Sequence, residues 1–173
     1  LSHGGHLSHG HDVNFSGDLF DFETYAINEE TERFEKEDVM EAAKEADPDM
    51  IITGFSAYPR EFDFKMFAEV AEEVDAMLMA DIAHVSGLVA ADEHQQPFPH
   101  CDIVTTTTHK SIRGARGGMI LSKEEYADKV DKAVFQYSQG GPLMHQIAAK
   151  AVSFREAQRP EFKDYAAQIK KNT

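Results

Sequence analysis

The chain has a single cysteine, Cys101, among its 173 residues. One thiol closes no internal disulfide, and Cys101 stands in no C-x-x-C spacing, which excludes a disulfide framework and a cysteine-based zinc knuckle and leaves packing as its role. Also missing is any apolar run of the roughly eighteen residues that would span a bilayer. No charged stretch followed by an apolar one marks a secretory signal. The expectation is a soluble, intracellular protein of the cytoplasm that engages no membrane. Basic residues are scarce: 17 Lys and Arg stand against 31 Asp and Glu, for a net charge of −14. Such a surface repels phosphate backbones and argues against a nucleic-acid partner. The acidity itself has two readings, adaptation to high salt and solvated helix faces that aid solubility. No low-complexity linker divides the chain, and its length suits one domain around one core.

What is present reads as alternating strands and helices. After a His-rich start, an edge strand is expected near Asp21 to Ile27. EKEDVMEAAKEADP then carries Val39, Met40, Ala43 and Ala46 on one helical face, and Asp47-Pro48 stops it. MIITG (Met50 to Gly54) is a short β-branched run. DFKMFAEVAEEV offers Asp63 as N-cap, with Phe67, Val70, Ala71 and Val74 at i, i+3, i+4 and i+7. The pattern repeats with AMLMAD (Ala76 to Asp81), a short helix around HVSGLVAA, CDIVTTTT (Cys101 to Thr108) and GGMIL (Gly117 to Leu121). From Glu124 onward the chain reads as helices, with Leu143, Ile147, Ala151 and Phe154 as one stripe and Pro160 marking a restart. The fold class that follows is α/β, a three-layer sandwich with a mostly parallel sheet covered on both faces.

In such a sheet ligands bind at the carboxyl ends of the strands. MIITG runs into Phe55-Ser56-Ala57-Tyr58, AMLMA ends on Asp81 and leads to His84, and DIVTTTT ends on His109-Lys110. Each has an ordinary explanation: Asp81 as a helix cap, Lys110 as a surface charge, His84 and His109 as hydrogen-bonded packing residues. Together they match one chemistry. An amine after a buried strand forms a Schiff base with an aldehyde, and a neighbouring carboxylate keeps a pyridine nitrogen protonated, the pair that pyridoxal phosphate requires. SIRGARGG, with Arg113 and Arg116, and QGGP before a helix add cations and backbone N–H groups suited to a phosphate, although Gly-Gly-Pro is equally a turn. The opening LSHGGHLSHGH, with His3, His6, His9 and His11, also reads as a metal-binding tract. Neither HExxH nor a cysteine set supports that reading.

LSHGGHLSHG, VNFSG, GFSAYPR, DIAHVSGLVAA, VTTTTHKSIRGARGGMI and QGGPLMH closely resemble the central part of serine hydroxymethyltransferase, a family that interconverts serine and glycine with tetrahydrofolate. The resemblance covers essentially all of Leu1 to Thr173. It implies the large domain of a fold-type I transferase, pyridoxal 5'-phosphate as cofactor, and a homodimer or dimer of dimers. By motif, Lys110 resembles the lysine that bonds the cofactor covalently, Asp81 the carboxylate at the pyridine nitrogen, and His84 the histidine near the ring hydroxyl. His6 resembles the imidazole stacked on the ring, and Ser56 a cofactor-contacting serine. Thr107 and His109 resemble the pair that tunes substrate orientation, and Arg116 an active-site arginine. Gly140 and Gly141 resemble glycines that reach the phosphate of the partner's cofactor. Leu1, Gly5, His6 and Leu7 fall where the family lines its folate pocket, while His3, His9 and His11 are left as ordinary loop residues.

The sequence departs from the pattern at VFQYSQGGP and at Ala115, where proline is common. The family's phosphate-binding loop, catalytic glutamate and tyrosines, and its carboxylate-clamping arginine have no counterpart in these residues. The expectation is an internal piece of the enzyme, residues 1–173 being the middle of the large domain without its N-terminal segment or C-terminal small domain. Three alternatives follow. A threonine aldolase would share Asp81 and Lys110 without needing the folate wall. A His-rich metal module would hold zinc, and a non-catalytic fragment would bind no cofactor.

Overall fold

The computed structural model describes residues 2–173; Leu1, expected in the folate wall, lies outside them. Among the described residues the chain forms helices α1 (Phe15–Leu19), α2 (Lys36–Ala46), α3 (Phe64–Glu73), α4 (Ser86–Ala90), α5 (Ala127–Val134), α6 (Met144–Ala157) and α7 (Pro160–Asn172). Strands β1 (Met50–Thr53), β2 (Met77–Asp81), β3 (Ile103–Thr107) and β4 (Gly118–Ser122) lie side by side in that order. The first three are parallel and β4 closes the edge antiparallel to β3. This is the expected α/β fold with a mostly parallel sheet.

The helix signals act where they stand. Asp47 takes a left-handed φ of 47° and its N–H closes on Ala43 C=O, ending α2 before Pro48. The Asp63 side chain accepts the Met66 N–H and so caps α3. Phe64, Phe67, Val70 and Ala71 of α3 pack with Val39 and Ala43 of α2 onto Ile51, Leu78, Ala80 and Val104 of the sheet, all of them buried. Burial of Phe67 alone is worth about 2 kcal/mol by apolar area. Beside this core Tyr25, Phe34, Phe55, Tyr58 and Phe62 interlock. Phe34 and Phe55 stack at 4.5 Å, which fixes the loop that leaves β1. A second cluster joins Ala91 and Ile112 to Ala157, Phe162 and Ala166 of α6 and α7.

Two expectations fail. Asp21 to Ile27 forms no strand and joins no sheet. Its anchors are side chains: the Tyr25 hydroxyl donates to Ile52 C=O at 2.8 Å, and the Ile27 N–H donates to His3 Nδ1 at 3.2 Å. The expected stripe Leu143, Ile147, Ala151 and Phe154 is divided: Leu143 precedes α6 and is 63% exposed, Ile147 is 43% exposed, and Phe154 packs against the second cluster. The buried residues of α6 are Ser153 and Ala157.

Asp102 staples the open end of the sheet. Its Oδ2 accepts the Leu78 N–H at 2.7 Å and its Oδ1 accepts Lys123 Nζ at 2.6 Å. The Lys123 side chain is 49% exposed, so the ion pair adds little. The backbone bond decides the outcome, because without it the N–H of buried Leu78 loses its partner. Asp102→Ala is expected to lower unfolding free energy by about 1–3 kcal/mol, read as a reduced denaturant midpoint at unchanged slope, and a midpoint equal to wild type would contradict this.

Candidate active site at the carboxyl edge of the sheet

The three parallel strands end in one cleft of about 170 Å³. Gly54, Phe55 and Ser56 follow β1 into it, Asp81, Ala83 and His84 come from the end of β2, and Thr105 to Thr107 with Lys110 come from β3. His6, Ser8 and His9 cover it from the N-terminal loop. That loop is held by Gly4, whose φ of 95° and close approach to Ala57 suit glycine alone. The Gly4 C=O accepts the N–H groups of Ser56 and Ala57 at 2.7 and 3.2 Å.

Asp81 is the centre of the cleft. Its Oδ2 accepts His9 Nε2 at 3.0 Å and its Oδ1 accepts the Ala83 N–H at 3.1 Å. Burial opposes its charge, but the bonds from His9 and Ala83 and the positive charges of His9 and Lys110 outweigh it and hold the carboxyl below its ordinary 3.8. Asp81 is therefore ionised at neutral pH. His84 is pushed the other way. Burial and then repulsion by Lys110 and His6 lower its pKa against the pull of Asp81, so its ring is neutral and Nε2 accepts Lys110 Nζ at 3.2 Å. His6 Nδ1 is taken up by Ser8, from Oγ at 2.7 Å and from the backbone N–H at 3.1 Å. Ser56 Oγ and Thr107 Oγ1 in the wall are buried with no hydrogen-bond partner, polar atoms suited to an incoming ligand.

Of the residues singled out in the sequence, His6, Ser56, Asp81, His84, Thr107 and Lys110 meet here. Others do not line the cleft. His109 turns its Nδ1 to the Gly117 N–H at 3.4 Å. Arg116 is exposed on the following loop, and Gly140 and Gly141 lie in open surroundings before α6. Gly5 is half-buried outside the cleft and Leu7 is 49% exposed. His9 is the residue that sequence reasoning passed over: it is not an ordinary loop histidine but the side-chain partner of Asp81. No local signal singles it out, because His3 stands at the same spacing of three from His6. Among the described residues no three His, Cys, Asp or Glu side chains converge to hold a metal ion, and His9 is engaged by a carboxylate instead.

A parallel sheet that gathers an amine, a neutral imidazole and a doubly hydrogen-bonded carboxylate at its carboxyl edge belongs to the α/β proteins that bind a small polar ligand at that edge. Such a donor set suits an aldehyde-bearing heterocycle better than a metal. The family model for serine hydroxymethyltransferase matches residues 1–173, the whole of the sequence, and the chain belongs to that family. The family is one of fold-type I, pyridoxal-phosphate-dependent transferases of one-carbon groups that interconvert serine and glycine.

Proposed function

We propose that this chain holds pyridoxal phosphate through Lys110 and that the full-length protein moves a one-carbon unit between serine and tetrahydrofolate, leaving or consuming glycine. The observation that carries this reading is the meeting of the Lys110 amine and the ionised, hydrogen-bonded Asp81 in one cleft. Bound there, the cofactor supplies an electron sink for charge that develops at the substrate's α-carbon. Asp81 would face the pyridine nitrogen and keep its proton, with His9 and the Ala83 N–H fixing the carboxylate. His84 orients the Lys110 amine and serves the ring hydroxyl, His6 covers the ring, and Ser56 and Thr107 offer their unpartnered hydroxyls.

The remaining assignments extend the same reading. His109 and Arg116 act on substrate orientation, and Leu1, Gly5, His6 and Leu7 form the folate wall. Gly140 and Gly141 serve the phosphate in a second subunit of a homodimer or dimer of dimers. Their exposure supports this, as do the uncovered apolar side chains Val13, Phe15, Leu19, Tyr137 and Leu143. Residues 1–173 are the middle of the large domain, and the working compartment is the cytoplasm. No helix among the described residues is long and apolar enough to cross a membrane.

Reduction with borohydride after incubation with pyridoxal phosphate tests the reading in the full-length protein. The expected result is a cofactor mass on the peptide carrying Lys110, and loss of the bound chromophore in Lys110→Ala. A tag on another lysine overturns the assignment. Serine cleavage that runs equally well without tetrahydrofolate overturns the one-carbon acceptor.

A further inference from the structure

Lys110 opens a loop that returns to β4, and the loop is tied down at its base. The Thr108 N–H donates to Gly117 C=O at 2.9 Å, and the Gly114 N–H donates to Thr108 C=O at 2.6 Å. Within it the Arg113 N–H donates to Lys110 C=O at 2.9 Å, closing a tight turn directly on the amine-bearing residue. Arg113, which closes that turn and starts the next, sits at a φ of 60°, a left-handed conformation that an L side chain adopts only when its surroundings hold it there.

Helix α7 supplies what holds it. The Arg113 guanidinium carbon lies 4.1 Å from the centroid of the Tyr165 ring and 5.2 Å from that of Phe162. These are cation–π distances on two rings at once. The preceding residue, Ile112, is buried in the cluster that contains Phe162 and Ala166. Helix α7 is itself fixed to the turn after α4, where Lys170 Nζ donates to Glu93 C=O at 2.9 Å and Lys163 pairs with Asp92 at 3.2 Å. Neither Arg113 nor Tyr165 lines the cleft.

We propose that Arg113, stacked on Tyr165 and Phe162, is a positioning residue: through the Lys110–Arg113 turn, helix α7 sets the direction of the Lys110 amine toward His84. The proposal rests on the reading of Lys110 as the cofactor-bearing amine, and its test is made independent of that reading. Full-length protein free of cofactor is trace-labelled with acetic anhydride, and each lysine's rate is read by peptide mass spectrometry. Lys44, paired with Glu73 at the other end of the fold, is the internal reference.

Arg113→Ala and Tyr165→Leu are expected to change the Lys110 rate at least threefold while the Lys44 rate stays as in wild type. Arg113→Lys and Tyr165→Phe, which keep a cation over a ring, should restore most of the wild-type rate. The proposal is overturned if Lys110 labels unchanged after the stack is removed, or if Lys110 and Lys44 change together, since that signals general loosening. It is also overturned if the conservative variants behave like the disruptive ones. Should Lys110 respond as expected while borohydride fixes no cofactor to it in the wild type, the positioning role stands and the functional reading fails.

Discussion

Asp81→Asn is expected to lower kcat for serine cleavage in the full-length protein by on the order of 10²–10³-fold, the range seen when one preorganised charge or donor is lost from an active site. The substitution keeps the size of the side chain and removes only its charge. One amide oxygen still accepts the Ala83 N–H, but the amide NH₂ then faces His9, which held its proton toward a carboxylate at 3.0 Å. His9→Ala should cost less, because the Ala83 N–H still binds Asp81. The double variant should be no worse than Asp81→Asn alone, since residues of one network are not additive. Steady-state kinetics of the four proteins reads this directly, and an Asp81→Asn variant within threefold of wild type would remove Asp81 from the chemistry. A pH dependence of stability accompanies it. The folded carboxyl lies below its ordinary 3.8, so its stabilisation is fully present above that pH and is lost as the pH falls below it. The stability gap between wild type and Asp81→Asn should accordingly narrow in acid.

The central fold could be read from the sequence because its signals are local. Asp47-Pro48 stops α2, the Asp63 side chain caps α3, and Pro160 stands at the first position of α7. The strands β1 to β3 are short apolar runs whose polar ends converge because parallel strands point their carboxyl ends to one edge, β1 and β2 in step and β3 running two residues further. That geometry is why Ser56, Asp81 and Lys110 could be grouped without coordinates. What stayed hidden depends on contacts between distant segments. A run such as Asp21 to Ile27 looks the same whether a neighbouring strand or a few side chains hold it. The stripe of α6 shows that a face is apolar but not which surface covers it. His3, His6 and His9 share one even spacing of three, so nothing local separates His9 from the others until the loop folds over Asp81. The stack of Arg113 on Tyr165 joins a segment that read as cations for a phosphate to one that read as an ordinary helix, and only the contact between them shows where the Arg113 charge goes.

Gly54→Ala is expected to be the most destabilising single-methyl change in the cleft. Gly54 follows β1 at a φ of 133°, a conformation open to glycine and strained for any side chain. A Cβ there would overlap the Asp81 carbonyl oxygen and stand 2.8 Å from its carbonyl carbon. Both obstacles are backbone, held by the β1–β2 pairing, so the strands must part for the methyl to fit. Backbone strain of about 1–3 kcal/mol and overpacking of about 1–3 kcal/mol act together, for a total of roughly 2–6 kcal/mol, a large part of a domain's stability. Gly118→Ala is the matched control, because its nearest neighbour, the Thr106 carbonyl oxygen, lies at an ordinary 3.5 Å. That variant should unfold within about 1 kcal/mol of wild type. Because the displaced atoms belong to Asp81, the damage in Gly54→Ala should extend to function. Molecules that remain folded should show weakened cofactor binding, whereas a purely global effect would lower the denaturation midpoint and leave the affinity of the folded fraction unchanged.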